Sequence, residues 1–172
     1  MTIIVTGSAG FIGSNLILKW LSEKNETILG LDKLTYAGNL ENLESVKNNP
    51  QYKFIKGDIG DSKLIASLLR DYKPRGVINF AAETHVDRSI HGPDDFIMTN
   101  IVGTFHLLEQ LRSYFNELSD SAQKDFRFLH VSTDEVYGTL KETDQAFKET
   151  NQYEPNSPYS ASKASSDHLV RA

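Results

Sequence analysis

The sequence predicts an α/β fold, a doubly wound parallel sheet with helices on both faces. Five short apolar runs rich in Ile, Val and Phe recur along the chain, and between them apolar residues fall at helical spacing. The scale agrees with this: 172 residues, 39% hydrophobic and 24% charged, suffice for one packed globular domain.

The first run, Thr2 to Thr6, opens the sheet, and Phe11, Ile12, Leu16, Trp20 and Leu21 follow at helical spacing. The second, Thr27 to Asp32, precedes a helical pattern of Leu40, Leu43 and Val46. The third, Tyr52 to Lys56, precedes Leu64, Ile65, Leu68 and Leu69. After the fourth, Gly76 to Phe80, a long helix is patterned from about Pro93 to Phe115 through Ile97, Ile101, Phe105, Leu108 and Leu111. Its apolar positions spread beyond one stripe, which points to a second burying surface such as a subunit contact. The fifth run spans Phe126 to Val131. Strands that alternate with helices pair in parallel through right-handed crossovers. Lys141 to Ser157 is polar, contains Pro155, lacks periodicity and reads as a surface loop. A last helix runs from about Ser160 to the end. Arg171 and Ala172 fall inside its pattern with no Gly, Asn or Pro stop signal, so the expectation is a chain cut within a larger protein.

Composition removes several function classes. The net charge is −5, with the two signs interspersed and no Lys/Arg-rich run, which argues against a nucleic-acid partner. Without cysteine there is no disulfide, thiolate catalysis or cysteine metal site. The five histidines, His85, His91, His106, His130 and His168, show no ligand spacing, so no metal is expected. Met1 to Val5 is a short apolar run without a basic leader, followed at once by Gly7 and Ser8. Neither a signal peptide nor a membrane span is expected, and the protein is read as cytoplasmic.

Gly7, Ser8, Ala9, Gly10, Phe11, Ile12 and Gly13 follow the first strand and open the first helix. This is the context of a dinucleotide fingerprint, here spaced GxxGxxG. Glycines permit the tight turn and the close approach of backbone to pyrophosphate, and the helix start offers free N–H groups to an anion. Asp32 ends the second strand about twenty residues further on, where a carboxylate accepts hydrogen bonds from an adenosine ribose and repels a 2′-phosphate. The pattern favours NAD over NADP in a Rossmann-like sheet. Asp58 and Ile59, after the third strand, offer an acceptor and an apolar wall for adenine, or simply a turn. Asn79, Phe80, Ala81, Ala82, Glu83, Thr84 and His85 close the fourth strand with small residues that let the backbone pass close to the cofactor. His85, beside Glu83 and Asp87, reads as hydrogen-bonded scaffolding rather than as a base.

A tyrosine four residues before a lysine on a helix puts the ammonium one turn from the phenol, where it favours phenolate and can hold a nicotinamide ribose. Three pairs have the spacing: Tyr52 with Lys56, Tyr137 with Lys141, and Tyr159 with Lys163. The first lies in a strand, where four residues span about 13 Å. The second is broken by the turn at Gly138. Only Tyr159 and Lys163 enter a helical pattern, with Pro158 just ahead, and share a face. At about 4 Å and an effective dielectric near 20, the cation favours phenolate by roughly 4 kcal/mol, about three pKa units from a value near 10.

Beyond the fifth run lie Ser132, Thr133, Asp134, Glu135, Val136, Tyr137 and Gly138. Open parallel sheets bind ligands beyond the carboxyl ends of their strands, so these polar groups are placed for a small molecule. Adjacent strand residues point to opposite faces, so Asp134 and Glu135 can serve one substrate only if the backbone has left the sheet by about Ser132, as a turn ending at Gly138 allows. Two carboxylates in different environments can divide the roles of base and acid that the removal of water beside a ketone requires.

VTGSAGFIGSN (Val5 to Asn15), LDKLTYAGN (Leu31 to Asn39), FAAETHVDRSI (Phe80 to Ile90), TNIVGT (Thr99 to Thr104), VSTDEVYG (Val131 to Gly138) and SPYSASKASSDHLVRA (Ser157 to Ala172) together resemble the extended short-chain dehydrogenase/reductase family throughout the chain. Within it the sequence is similar to the members that dehydrate dTDP-glucose. Family epimerases usually carry small or hydroxyl residues where Asp134 and Glu135 stand. The resemblance implies an NAD-dependent lyase of nucleotide-sugar metabolism, making dTDP-4-dehydro-6-deoxy-glucose, a precursor of deoxysugars such as rhamnose. Tyr159 would take the proton of the carbon 4 hydroxyl held by Thr133, and NAD would take the hydride. Glu135 would remove the carbon 5 proton, Asp134 would protonate the hydroxyl leaving carbon 6, and the hydride would return to carbon 6.

The resemblance also implies NAD contacts from Phe11, Ile12, Asp32, Lys33, Leu34, Thr35, Asp58, Ile59, Phe80, Ala81, Ala82, Glu83, Thr84, Thr99, Tyr159 and Lys163, with Thr84 and Thr133 near the sugar. It implies a homodimer joined by the Pro93 and Tyr159 helices. Family members continue into a smaller substrate-binding domain, so residues 1–172 are expected to form an incomplete NAD-binding domain with weak or no turnover alone. The competing readings are another sugar-nucleotide dehydratase or epimerase, or a truncated, non-catalytic NAD-binding module.

Overall fold

The computed structural model describes residues 1–172. Five strands, β1 (Thr2–Thr6), β2 (Thr27–Asp32), β3 (Tyr52–Lys56), β4 (Gly76–Asn79) and β5 (Arg127–His130), pair in parallel in the order β3-β2-β1-β4-β5. They form where the apolar runs predict, with β4 and β5 ending slightly early. Chain order reverses at β1, whose neighbours are β2 and β4, and this is the switch point at which such sheets take their ligands.

The chain divides into two compact units: residues 1–81 with 106–131, and residues 82–105 with 132–172. In the first, alternate strand residues feed two aliphatic cores, one on each face of the sheet. Ile4, Leu29, Leu31 and Val77 pack with Ile65, Leu68 and Leu69 of α2 (Ser62–Tyr72) and with Leu107 and Leu111. Ile3, Val5 and Ile28 pack with Ile17 of α1 (Phe11–Glu23) and with Leu43. A bidentate pair, with Arg75 Nε and Nη2 each 2.7 Å from Glu26, ties the loop before β4 to the loop before β2 and holds the Glu26 carboxyl below its ordinary range.

In the second unit, α3 (Val86–His91), α4 (Asp94–Phe96) and a π-helical stretch over Ile97–Gly103 pack against α7 (Pro158–Arg171). The stretch leads into α5 (Thr104–Glu117), and α6 (Asp120–Asp125) precedes β5. Ser157 starts α7 with a capping box, its hydroxyl accepting from Ser160 N–H and its own N–H donating to Ser160 Oγ, and Pro158 stands at N1.

Three details differ from the sequence reading. Leu40–Val46 is a 3₁₀ helix, the natural result of apolar residues three apart. The Pro93 helix is interrupted by the π stretch, whose wider turns rotate the register: Leu107 is buried, whereas Ile97 and Phe105 of the expected stripe are exposed. The short helices α3 and α6 carry too few residues to show a period. No helix is long and apolar enough to cross a membrane.

Candidate active site

The first unit builds a cradle at the carboxyl ends of β1, β2 and β4. Gly7 has φ of +63°, and a Cβ there would lie 2.7 Å from the backbone of Phe80 and Ala81; at Gly13 it would lie 2.2 Å from the Gly7 carbonyl oxygen. Both positions therefore require glycine. Gly10 is the N-cap of α1 and supplies no side-chain cap. The helix thus begins with N–H groups directed outward and a partial positive charge, the usual seat of a phosphate. Phe11 and Ile12, at this same helix start, are exposed.

Asp32 is buried at the end of β2. Its Oδ2 accepts from Ala9 N–H at 2.9 Å and its Oδ1 from Leu34 N–H at 2.8 Å. One carboxylate fixes both the glycine turn and the loop of Lys33, Leu34 and Thr35. A carboxylate accepts about four hydrogen bonds, which leaves room for ribose hydroxyls. Lys33 forms an ion pair with Asp58 at 2.8 Å, and Asp58 accepts from Gly60 N–H. Burial raises the Asp58 pKa, but the Lys33 and Gly60 hydrogen bonds outweigh it and hold the carboxyl below its ordinary range. The Ile59 side chain belongs to the aliphatic core, which leaves its backbone for ligand contact.

Below the cradle a polar chain crosses the sheet. Ala81 N–H donates to Thr6 Oγ1 at 3.2 Å, Thr6 donates to Asn79 at 2.5 Å, and Asn79 Nδ2 lies 3.0 Å from Nδ1 of His130. Phe80 and Ala81 are fixed by this chain and by their contact with Gly7. The sequence reading noted only the small residues here.

The second unit holds Thr133, Asp134, Glu135, Tyr159 and Lys163, the residues that the sequence singles out for proton transfer. Thr133 caps a 3₁₀ turn over Asp134–Tyr137, its Oγ1 accepting from Glu135 N–H at 3.3 Å. The backbone has left the sheet by Ser132, as the paired acids require. Asp134 is exposed and Glu135 half-buried, so the two carboxylates occupy different environments. The turn packs against α7, which carries Tyr159 and Lys163 on one face. Tyr159 is half-buried and meets Phe96 edge to face at 6.3 Å. Lys163 is only 4% exposed, and burial brings its pKa down to about 8, with Asp167 opposing the fall.

The other two Tyr/Lys pairs do not form such a site. Tyr52 is buried in β3, where burial pushes its phenol up to about 12, and Lys56 is exposed; Tyr137 ends the turn and Lys141 lies in the following loop.

Two groups were missed in the sequence. Asn100 is buried: its Oδ1 accepts from Glu83 N–H at 2.8 Å, while its Nδ2 donates to the Glu83 carbonyl at 3.0 Å and to Ser162 Oγ at 2.8 Å. It fixes the Ala82, Glu83, Thr84 loop to the helices, and an amide within the apolar run TNIVGT was the available signal. Asp167 is the other. It is buried in α7 and accepts from Ser132 and Tyr153. Thr99 stands half-buried next to Asn100 in the π stretch. His85, the N-cap of α3, has φ of +74°.

The family model for GDP-mannose 4,6 dehydratase matches residues 4–172, and the chain belongs to that family. It is 59% identical over 171 residues to dTDP-glucose 4,6-dehydratase of Xanthomonas campestris pv. campestris strain B100, covering 99% of this chain and 48% of that protein. It is 52% identical over 180 residues to the enzyme of the same name from Escherichia coli, covering 100% and 50%. Among solved structures it matches DesIV, the dTDP-glucose 4,6-dehydratase of Streptomyces venezuelae with NAD and TYD bound, with a TM-score of 0.88 and 42% identity over 99% of this chain and 51% of that one. The chain thus spans about half the length of the curated relatives it matches.

Proposed function

Proceeding from membership of that family, we propose that the chain carries the cofactor-binding and proton-handling residues of a cytoplasmic dTDP-glucose 4,6-dehydratase that uses NAD. One observation carries the reading: the turn bearing Thr133, Asp134 and Glu135 is packed on, and hydrogen-bonded to, the helix bearing Tyr159 and Lys163.

The cradle suits a dinucleotide. Gly7 and Gly13 leave no room for side chains where backbone must approach a pyrophosphate, and the open start of α1 provides N–H donors. Asp32 faces the ribose hydroxyls and disfavours a 2′-phosphate. Lys33, Leu34, Thr35, Asp58 and Ile59 line the adenosine side, Phe80, Ala81, Ala82, Glu83, Thr84 and Thr99 follow the cofactor further, and Lys163 holds the nicotinamide ribose. Bound NAD supplies the acceptance and return of a hydride.

The remaining chemistry belongs to side chains. Thr133 and Thr84 orient the glucosyl group, and Thr133 holds its carbon 4 hydroxyl. Tyr159, its phenolate favoured by the Lys163 ammonium, takes the proton of that hydroxyl. Glu135, the less exposed acid, removes the proton at carbon 5, made acidic by the neighbouring ketone, and gives it back to carbon 5 after water has left. Asp134 protonates the hydroxyl that leaves carbon 6 as water. Exposed Ile97, Met98 and Phe105 supply an apolar face for a homodimer.

The test is to incubate the protein, at its natural full length, with NAD and dTDP-glucose and to follow the 4-keto product. Glu135→Gln is expected to lower dehydration by about 10²-fold or more while leaving NAD affinity nearly unchanged. An unaffected rate overturns the assignment of the base, and a wild-type protein that binds NAD without turnover supports a non-catalytic module instead.

A further inference from the structure

Between the acid-pair turn and α7 lies a carboxylate that the proposed chemistry does not use. Asp167 is 8% exposed. Its Oδ2 accepts from Ser132 Oγ at 2.5 Å and from Tyr153 Oη at 3.0 Å. Ser132 directly precedes Thr133, the cap of the turn, so this bond fixes where the turn begins. Tyr153 belongs to the long loop that follows the turn, and its ring meets Tyr137 at 5.2 Å and His168 at 5.2 Å. One carboxylate therefore joins three segments of the second unit. Asp167 also lies one turn beyond Lys163, which lies one turn beyond Tyr159, so the three share a row on α7.

We propose that Asp167 is a positioning residue: its carboxylate anchors the start of the Thr133, Asp134, Glu135 turn to α7 and stands as the counter-charge of Lys163. The proposal rests on reading Tyr159 and Lys163 as the proton-handling pair. The physics supports both roles. A buried ammonium loses its proton readily, and an opposing charge on the same face retains it. Burial brings the Lys163 pKa down to about 8, and the negative charge of Asp167 opposes that fall. Elements packed on α7 also carry Asp87, Arg88 and His91 on α3, Asp94 and Asp95 on α4, and Asp134, Glu135 and Tyr137 in the turn; Tyr153, His168 and Arg171 lie near Asp167. Burial, hydrogen bonding to Asp167 and its negative charge all raise the Tyr153 phenol above its ordinary value, so it remains a donor to Asp167. The sequence offered no sign of this, because a lone Asp between Ser166 and His168 has the composition of a solvated helix face.

Asp167→Asn keeps the shape and an acceptor while removing the charge. NMR of lysine-labelled protein is expected to show the Lys163 midpoint falling by about one pH unit in this variant and staying in place in Ser132→Ala. In the full-length enzyme, Asp167→Asn also shifts the pH profile of kcat, and Ser132→Ala lowers kcat about tenfold with the KM for NAD unchanged. A Lys163 midpoint that ignores Asp167→Asn overturns the counter-charge, and a wild-type kcat in Ser132→Ala overturns the anchor. If Asp167→Asn does not fold, Ser132→Ala, which retains both charges, decides the proposal by its rate. The NMR measurement needs no substrate. A wild-type protein inert toward dTDP-glucose with the midpoint shift intact therefore refutes the proposed function alone, whereas a fixed midpoint in an active enzyme refutes this proposal alone.

Discussion

The two units of the molecule differ in what fills their interiors, the first mostly aliphatic and the second mostly polar. Around its sheet the first buries Ile3, Ile4, Val5, Ile28, Leu29, Leu31, Val77 and the helix side chains that cover them. The second buries Glu83, Ser89, Asn100, Ser160, Ser162, Lys163, Ser166 and Asp167, with only Phe96, Val136 and Ala164 as buried apolar partners. Apolar burial stabilises by about 25 cal/mol per Å², whereas each buried polar group costs free energy unless it is hydrogen-bonded. Most of the second unit's buried polar groups answer that cost locally, Thr104 Oγ1 being left without a partner. Ser162, Ser166 and Ser89 donate to carbonyls three residues back on their own helices, and Asn100 bonds two segments at once. One interior is held mainly by apolar burial and the other mainly by hydrogen bonds.

Replacing Leu29 by Ala in the aliphatic interior has the largest expected effect, a loss of about 3–4 kcal/mol by chemical denaturation, since the side chain is fully buried and its site cannot collapse. A loss below about 1 kcal/mol breaks the contrast.

In the polar interior, Lys163→Met is expected to gain stability while abolishing turnover. The sign follows from the protons bound. Between pH 8 and the unfolded lysine value of 10.5, the unfolded chain holds a proton that the folded chain has released, so stability rises with pH through this window. Below pH 8 the folded state carries a buried ammonium at a cost of about 3 kcal/mol, which Met removes. Urea melts of both proteins from pH 7 to 10 check this: the wild type gains on Met as pH rises, and a constant gap refutes it.

The smallest effect concerns a helix end that organises the polar unit without belonging to its interior. Ser157→Ala removes one half of the α7 capping box and is expected to cost about 1 kcal/mol. Thermal melting of the variant measures it, and a neutral result means that Pro158 and the packing of α7 set the helix start.

The same division governs what the sequence disclosed. Strands and cores were legible because Ile, Val and Leu recur at the periods that sheet and helix impose, and the strands formed where those runs lie. The positions of the glycine turn, of Asp32 and of the Tyr159/Lys163 pair were legible because each is marked by a short local pattern: glycines after a strand, an acid at a strand end, and two residues four apart on a helix. Asn100 and Asp167 were not, since what makes each of them important is a partner distant in sequence: Glu83 and Ser162 for one, Ser132 and Tyr153 for the other. The π stretch was hidden as well, because nothing in Ile97–Gly103 distinguishes a wide turn from an ordinary one until neighbours pack on it.

Asp32 tethers the amides of both Ala9 and Leu34. Replacing it by a side chain without an acceptor, such as Ala, would release the glycine turn and the loop beyond β2 together. A change at this one carboxylate is therefore felt in two loops at once, and a residue that restores only one of the two hydrogen bonds leaves the other loop untethered.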